Sequence, residues 1–175
     1  MSVKILCAMD KEAEKISVPG ATVYTIGIGV NNVIKNITKL IAEGKLKSTD
    51  TIINVGYVGS NRWDIGEILT IKEVKRLNPC KQVEEDVYRL TTVCLDNITT
   101  CLTADDFIQS ADAQFLNIPA VDMELYYIAA FGFKKLMAFK LVSDNLNYIG
   151  YEKFESDKTW ERMNTILMEI INEQN

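Results

Sequence analysis

The sequence predicts an α/β fold with a mixed, mostly parallel central sheet flanked by helices. Apolar, β-branched runs alternate along the chain with segments of helical periodicity, and no internal repeat or low-complexity stretch interrupts them. Thr51-Ile52-Ile53-Asn54-Val55-Gly56 is a near-continuous apolar run of the kind buried on both faces of a parallel sheet. At 175 residues and 47% hydrophobic content, the chain supports one well-buried core and is short for two. Residues 1–175 are therefore expected to form a single domain.

Residues 3 to 8 read as a strand, and the charged segment Asp10 to Ile16 as a helix broken at Val18-Pro19-Gly20. Thr22 to Ile26 is β-branched and aromatic, hence a second strand, which ends in the glycine turn Gly27-Ile28-Gly29. Val33, Ile34, Ile37, Leu40 and Ile41 recur at helical spacing from Asn31 to Ala42, and Gly44 stands where that helix stops. After the central strand at 51–56, Ile65 to Val74, Val87 to Leu95, Ile98 to Leu102 and Lys134 to Val142 are β-rich, and Met123 to Phe131 is helix-compatible. Trp160, Met163, Leu167, Ile170 and Ile171 share one face of a C-terminal amphipathic helix.

A net charge of −5 with interspersed signs leaves no basic stripe for a phosphate backbone, so nucleic acid is not an expected partner. The apolar N-terminal run meets Asp10 and Lys11 too soon for a signal core or a membrane span, which predicts a cytoplasmic protein without membrane contact. Cys7, Cys80, Cys94 and Cys101 are widely spaced with no C-x-x-C pair, so buried reduced thiols are expected, and neither a metal site nor a cofactor. The chain has no histidine, and acid/base chemistry must fall to carboxylates, Lys, Tyr or Cys.

Three acidic residues stand beside predicted strand or helix ends: Glu12 in Ala8-Met9-Asp10-Lys11-Glu12, Glu124 in Val121-Asp122-Met123-Glu124, and Asp144 in Val142-Ser143-Asp144-Asn145. Ligands of such sheets bind beyond the carboxyl ends of the strands, where Glu12, Gly29, Gly59 and Asp144 are expected. Each acid has a plainer reading. Glu12 fits a solvated first turn, Glu124 a helix N-terminus, and Asp144 an N-cap or Asx turn.

Taken in order with Gly27-Ile28-Gly29, Ile53-Asn54-Val55-Gly56, Gly59 and Asp105-Asp106-Phe107-Ile108, these segments resemble the purine nucleosidase and nucleoside phosphorylase family. The resemblance is nearest to its 5′-methylthioadenosine/S-adenosylhomocysteine nucleosidase branch and runs from residue 5 to about residue 154. It implies a nucleoside phosphorylase-like fold, a nucleoside substrate and a homodimer. It assigns Asp144 to protonation of purine N7, Glu12 to the attacking water and Glu124 to the ribose 2′ and 3′ hydroxyls. Phe107 and Ile108 would sandwich the purine, Met9 and Met123 would line the sugar and its 5′ substituent, Ile28 would join the substrate-binding set, and Gly59 would admit the nucleoside near the backbone.

Cleavage of an N-ribosidic bond passes through an oxocarbenium-like sugar, which explains the pairing of one carboxyl acid with one carboxylate base. Phosphorylases of the family carry Arg and Ser where this chain has Asn54 and Tyr57, so water is the expected nucleophile, with Arg62 the candidate phosphate ligand otherwise. The stretches between Glu12 and Gly27 and between Glu67 and Asp105 are short for the family, which leaves the 5′ substituent open. Tyr57, Leu125, Tyr126 and Tyr127 stand where the family has small residues. They either fill vacated space or narrow the pocket.

Overall fold

The computed structural model describes residues 2–77, 87–93, 96–108, 118–154 and 157–173. β1 (Val3–Cys7) lies between β2 (Ala21–Thr25) and β3 (Thr51–Gly59), parallel to both. β3 also pairs in parallel with β8 (Lys135–Asp144), which runs antiparallel to β4 (Ile68–Arg76). β4 carries the short β5 (Tyr88–Arg89) on one side and pairs in parallel with β6 (Ile98–Thr103). β6 then pairs with the two-residue β7 (Val121–Asp122), and Val121 of β7 returns to Gly59 of β3. The sheet is mixed and mostly parallel, as expected. What the sequence pattern did not predict is closure: β3, β8, β4, β6 and β7 form a ring of strands, with β1 and β2 as a wing on β3.

Period-two alternation decides which layer each strand residue joins. Val3, Ile5 and Cys7 of β1, Ile53 and Val55 of β3, and Met137 and Phe139 of β8 pack with Trp160, Met163, Leu167, Ile170 and Ile171 of the C-terminal helix α5 (Asp157–Asn172). Leu6, Ile52, Ala138 and Val142 face the other way, toward Val33 and Ile37 of α2 (Gly29–Ala42) and Leu125 and Ile128 of α3 (Leu125–Ala129). Each such large side chain contributes roughly 1.5–3 kcal/mol by leaving water. Lys140 breaks the pattern, a charged residue fully buried on the α2 side of β8.

Several boundaries differ from expectation. α1 spans only Asp10–Ala13, because Ser17, Val18 and Pro19 leave it no room to continue. β4 begins at Ile68, since a turn at 64–67 with Gly66 at φ +91° precedes it. The helix expected at Met123 to Phe131 contracts to α3 with Glu124 at its N-cap. Only Tyr88–Arg89 of the run expected at Val87 to Leu95 is a described strand, residues 94 and 95 lying outside the described chain. A helix α4 (Tyr148–Lys153), not anticipated, follows β8 directly.

Candidate active site

A cavity of about 270 Å³ opens where β1, β3, β6 and β8 end. Glu12, Glu124 and Asp144 line it, and so do Met9, Ile28, Gly59, Phe107, Ile108 and Met123, so all nine residues singled out from sequence meet at one place. Asp106, Asp122, Ser143, Leu146 and Tyr151 also line it.

Glu12 is not a solvated first-turn residue. The single turn of α1 folds it back over β1, where Oε2 accepts the Met9 N–H at 2.9 Å and Oε1 the Tyr57 N–H at 3.0 Å. The neighbouring β3 must lack a side chain for this, since a Cβ on Gly56 would lie 3.0 Å from Oε1. Burial raises the Glu12 pKa above its usual value, against the Met9 and Tyr57 N–H groups and the Lys140 charge, which lower it. The carboxylate is thus held in place and made a better proton acceptor.

Asp144 ends β8, where the register against β3 shifts between Val58 and Gly59. A bulge at a strand end re-aims the side chains that follow it. Oδ2 accepts the Ser143 hydroxyl at 2.7 Å and Oδ1 the Asn147 N–H at 3.1 Å, so the turn expected of this aspartate does form, with the carboxyl still on the cavity wall. Gly59 makes room for it: a Cβ there would lie 3.0 Å from Asp144 Oδ1 and 2.9 Å from Leu146. Both Asp144 and Leu146 thus approach the Gly59 backbone closely.

Glu124 sits at the α3 N-cap but does not cap that helix. Oε1 instead accepts the Gly29 N–H at 3.1 Å, and Oε2 the Met123 N–H at 3.3 Å. Gly29 has φ +78°, a left-handed conformation costly for other residues. Burial first, and then the charge of Asp122, push the Glu124 pKa up to about 7, with Lys140 opposing.

Lys140 is the member of this group that the motifs did not indicate; the only signal for it was a lysine interrupting an apolar strand. Its ammonium pairs with Asp122 at 2.7 Å. Asp122 in turn accepts the Thr103 hydroxyl at 2.6 Å and the Leu125 N–H at 3.1 Å, joining β6, β7, β8 and α3 beneath the cavity. Burial by itself lowers the Lys140 pKa, but Asp122, Cys101 and Glu124 outweigh it and hold the ammonium protonated. Cys7 and Cys101 are buried free thiols whose pKa values burial raises, which leaves them inert; Cys80 and Cys94 lie outside the described residues.

Phe107 is not core: the residue is 36% exposed and lines the cavity. Its loop is anchored through Asp105, which accepts hydrogen bonds from the Tyr127 hydroxyl and, at 2.7 Å, from Arg76. Tyr127 therefore fastens the loop, while Leu125 joins the core and Tyr126 packs on Tyr88, and none of the three narrows the cavity. Tyr57 does line it, its hydroxyl accepting the Trp160 indole N–H at 3.0 Å. Asn54 is buried away from the cavity and donates to Leu6 O at 2.9 Å. Arg62 stacks over the Trp63 ring at 5.9 Å and does not line the cavity, so it is not in position to hold phosphate there.

No protein-family model and no curated protein matches the chain. Among solved structures, the fold is of the nucleoside phosphorylase type shared by purine nucleosidases. A Borrelia burgdorferi B31 protein designated a 5′-methylthioadenosine/S-adenosylhomocysteine nucleosidase, solved with adenine, matches over 97% of this chain and 99% of its own, at 19% identity and a TM-score of 0.76. The S-adenosylhomocysteine nucleosidase of Streptococcus pyogenes, in complex with 5-methylthiotubericidin, matches over 97% of both chains at 17% identity and a TM-score of 0.73. The futalosine hydrolase of Helicobacter pylori strain 26695 matches over 99% of this chain and 98% of its own at 15% identity and a TM-score of 0.74. The likeness establishes the fold, and it is the fold that the sequence motifs implied.

Proposed function

We propose that this chain is a nucleosidase that hydrolyses the N-ribosidic bond of adenosine-type nucleosides, such as 5′-methylthioadenosine or S-adenosylhomocysteine, and releases adenine. One observation carries the reading: Glu12, Glu124 and Asp144 are buried around one cavity, each with its oxygens oriented by N–H or O–H donors. The similar proteins solved with adenine and with 5-methylthiotubericidin support it.

In this mechanism the purine lies against Phe107 and Ile108, and Asp144 is the group that passes a proton to N7 as the glycosidic bond breaks. Glu124 accepts hydrogen bonds from the 2′ and 3′ hydroxyls and so fixes the ribose. Glu12 takes a proton from water attacking C1′ on the opposite face, a role its raised pKa favours. The electron-poor sugar of the transition state is met by nearby carboxylates.

Water rather than phosphate is the nucleophile in this proposal. Glu12, Asp106, Asp122, Glu124 and Asp144 all border the cavity, Lys140 is committed to Asp122, and no arginine is among the described lining residues. A dianion brought there would lack paired donors. Adenine release from methylthioadenosine, adenosylhomocysteine, adenosine and inosine, with and without phosphate, tests the reading. Free reducing sugar is the expected product. Ribose 1-phosphate, or turnover rising saturably with phosphate, would favour a phosphorylase, and binding without base release a nucleoside-binding protein.

The proposed setting is the cytoplasm; no described helix is long and apolar enough to cross a membrane. The proposed assembly is a homodimer, supported by Ile34 and Ile41, which share one face of α2 and are 48% and 41% exposed. Sedimentation of the purified chain checks it.

A further inference from the structure

We propose that the Tyr151 hydroxyl selects the 5′ substituent of the nucleoside, favouring an oxygen there over a thioether sulfur. The proposal rests on the nucleosidase reading and deepens it. Tyr151 stands on α4, which follows Asp144 after three residues. That helix is tied to the acid, because the Asn147 N–H donates to Asp144 Oδ1 at 3.1 Å while the Asn147 side chain caps α4 through the Ile149 N–H at 3.0 Å.

The Tyr151 ring lies on the cavity wall. Lys11 Nζ lies 4.5 Å from its centroid, and the Tyr57 and Phe107 rings are 6.1 Å and 6.0 Å from it. Its hydroxyl donates to Met9 Sδ at 3.2 Å, and the Met9 N–H is the group that holds Glu12 Oε2 at 2.9 Å. With the purine at Phe107 and Asp144 and the ribose hydroxyls at Glu124, the Met9 wall is where a substituent on C4′ points. Met9, Met123 and Ile28 supply only thioether and hydrocarbon side chains there. The Tyr151 hydroxyl adds the polar group.

A thioether is a weak acceptor. Exchanging Met9 Sδ for a ligand 5′ oxygen is therefore a gain for the hydroxyl, whereas a ligand 5′ sulfur offers nothing that Met9 does not. Burial first, and then the charges of Glu12, Glu124 and Asp144, raise the Tyr151 pKa to about 12, so the hydroxyl remains a neutral donor through the physiological range. Those same carboxylates oppose a 5′ phosphate. Within the adenosine-type nucleosides of the proposed function, those with a free 5′ hydroxyl are therefore favoured over the 5′ thioethers.

Adenine release from adenosine, 5′-deoxyadenosine and 5′-methylthioadenosine by the parent and by Tyr151→Phe tests this. In the parent, kcat/KM for adenosine should exceed that for 5′-deoxyadenosine roughly 3- to 10-fold, the effect of one neutral hydrogen bond. Tyr151→Phe keeps the ring and should bring that ratio to about one, with methylthioadenosine rising relative to adenosine. A parent that releases adenine equally well from adenosine and 5′-deoxyadenosine overturns the proposal and leaves the nucleosidase reading intact. So does a Tyr151→Phe variant slowed by one common factor on all three. If none of the three is cleaved, the nucleosidase reading fails, and calorimetric binding of the same nucleosides decides the selectivity. Tighter binding of adenosine that depends on the Tyr151 hydroxyl supports it; equal binding, or none, overturns it.

Discussion

Asp144 combines two fates that an aspartate after a strand usually has separately. Its Oδ1 closes the turn on the Asn147 N–H, and the same carboxyl borders the cavity. Asp144→Asn keeps an oxygen for that turn but has no acidic proton to deliver. We expect base release to fall about 10²- to 10⁴-fold, the usual worth of general acid catalysis, with nucleoside affinity largely kept. Single-turnover rates beside calorimetric binding check this, and near-normal turnover would remove Asp144 from the acid role. Glu124 should behave differently, because its contact is with the ribose. The parent should prefer ribonucleosides over 2′-deoxynucleosides by about 1.5–3 kcal/mol, the contribution of one charge-assisted hydrogen bond, and Glu124→Gln should lose most of that preference. A Gln variant that discriminates as strongly as the parent would refute the assignment.

β3 is the element on which the site is built, through what two of its residues lack. Gly56 and Gly59 admit the Glu12 and Asp144 carboxyls from opposite sides of the chain's order, with Cβ positions 3.0 Å from an oxygen of each. Gly56→Ala should displace Glu12 from the Tyr57 N–H and lower turnover at least tenfold, since small misplacement of a catalytic group is costly. The melting temperature should fall as well, since the added methyl crowds a buried carboxylate and separates it from a donor. Unchanged turnover in a folded Gly56→Ala protein would show that Glu12 has slack in its seat. Elements with a long period were legible in the sequence: α2 and α5 from their apolar faces, and β1, β3 and β8 from their apolar runs. β7 was not, because two residues carry no period, nor was α4, whose six residues are begun by an Asn cap rather than an apolar stripe. Gly56 and Gly59 were visible as glycines, but the side chains they make room for come from α1 and β8.

At the scale of the whole molecule, closure of the strand ring was hidden because it depends on the single β3–β7 contact between Gly59 and Val121. The nine residues that line the cavity could be picked out because their motifs stand in order along the chain. Lys140 and Tyr151 could not, since each acts through partners distant in sequence. The electrostatic cost of the site is a global property with a sign. Burial holds the pKa values of Glu12 and Glu124 above the usual 4.5, to about 7 for Glu124, so between those values the folded chain binds more protons than the unfolded one. Stability is then lost as pH rises through that window. No histidine titrates there to mask the trend, and Asp105, whose pKa Arg76 lowers, acts only at more acid pH. A tenfold difference in proton affinity between the folded and unfolded chain corresponds to about 1.4 kcal/mol. The unliganded protein should therefore lose on the order of 1–3 kcal/mol between about pH 5.5 and pH 8, lowering its melting temperature by roughly 3–10 °C. Glu124→Gln should flatten much of that slope and melt higher than the parent at the upper pH. Thermal melts of both proteins at the two pH values check it, and a parent more stable at the upper pH than at the lower would show that the buried carboxylates are stabilised by their N–H donors and Lys140 more than they are penalised by burial.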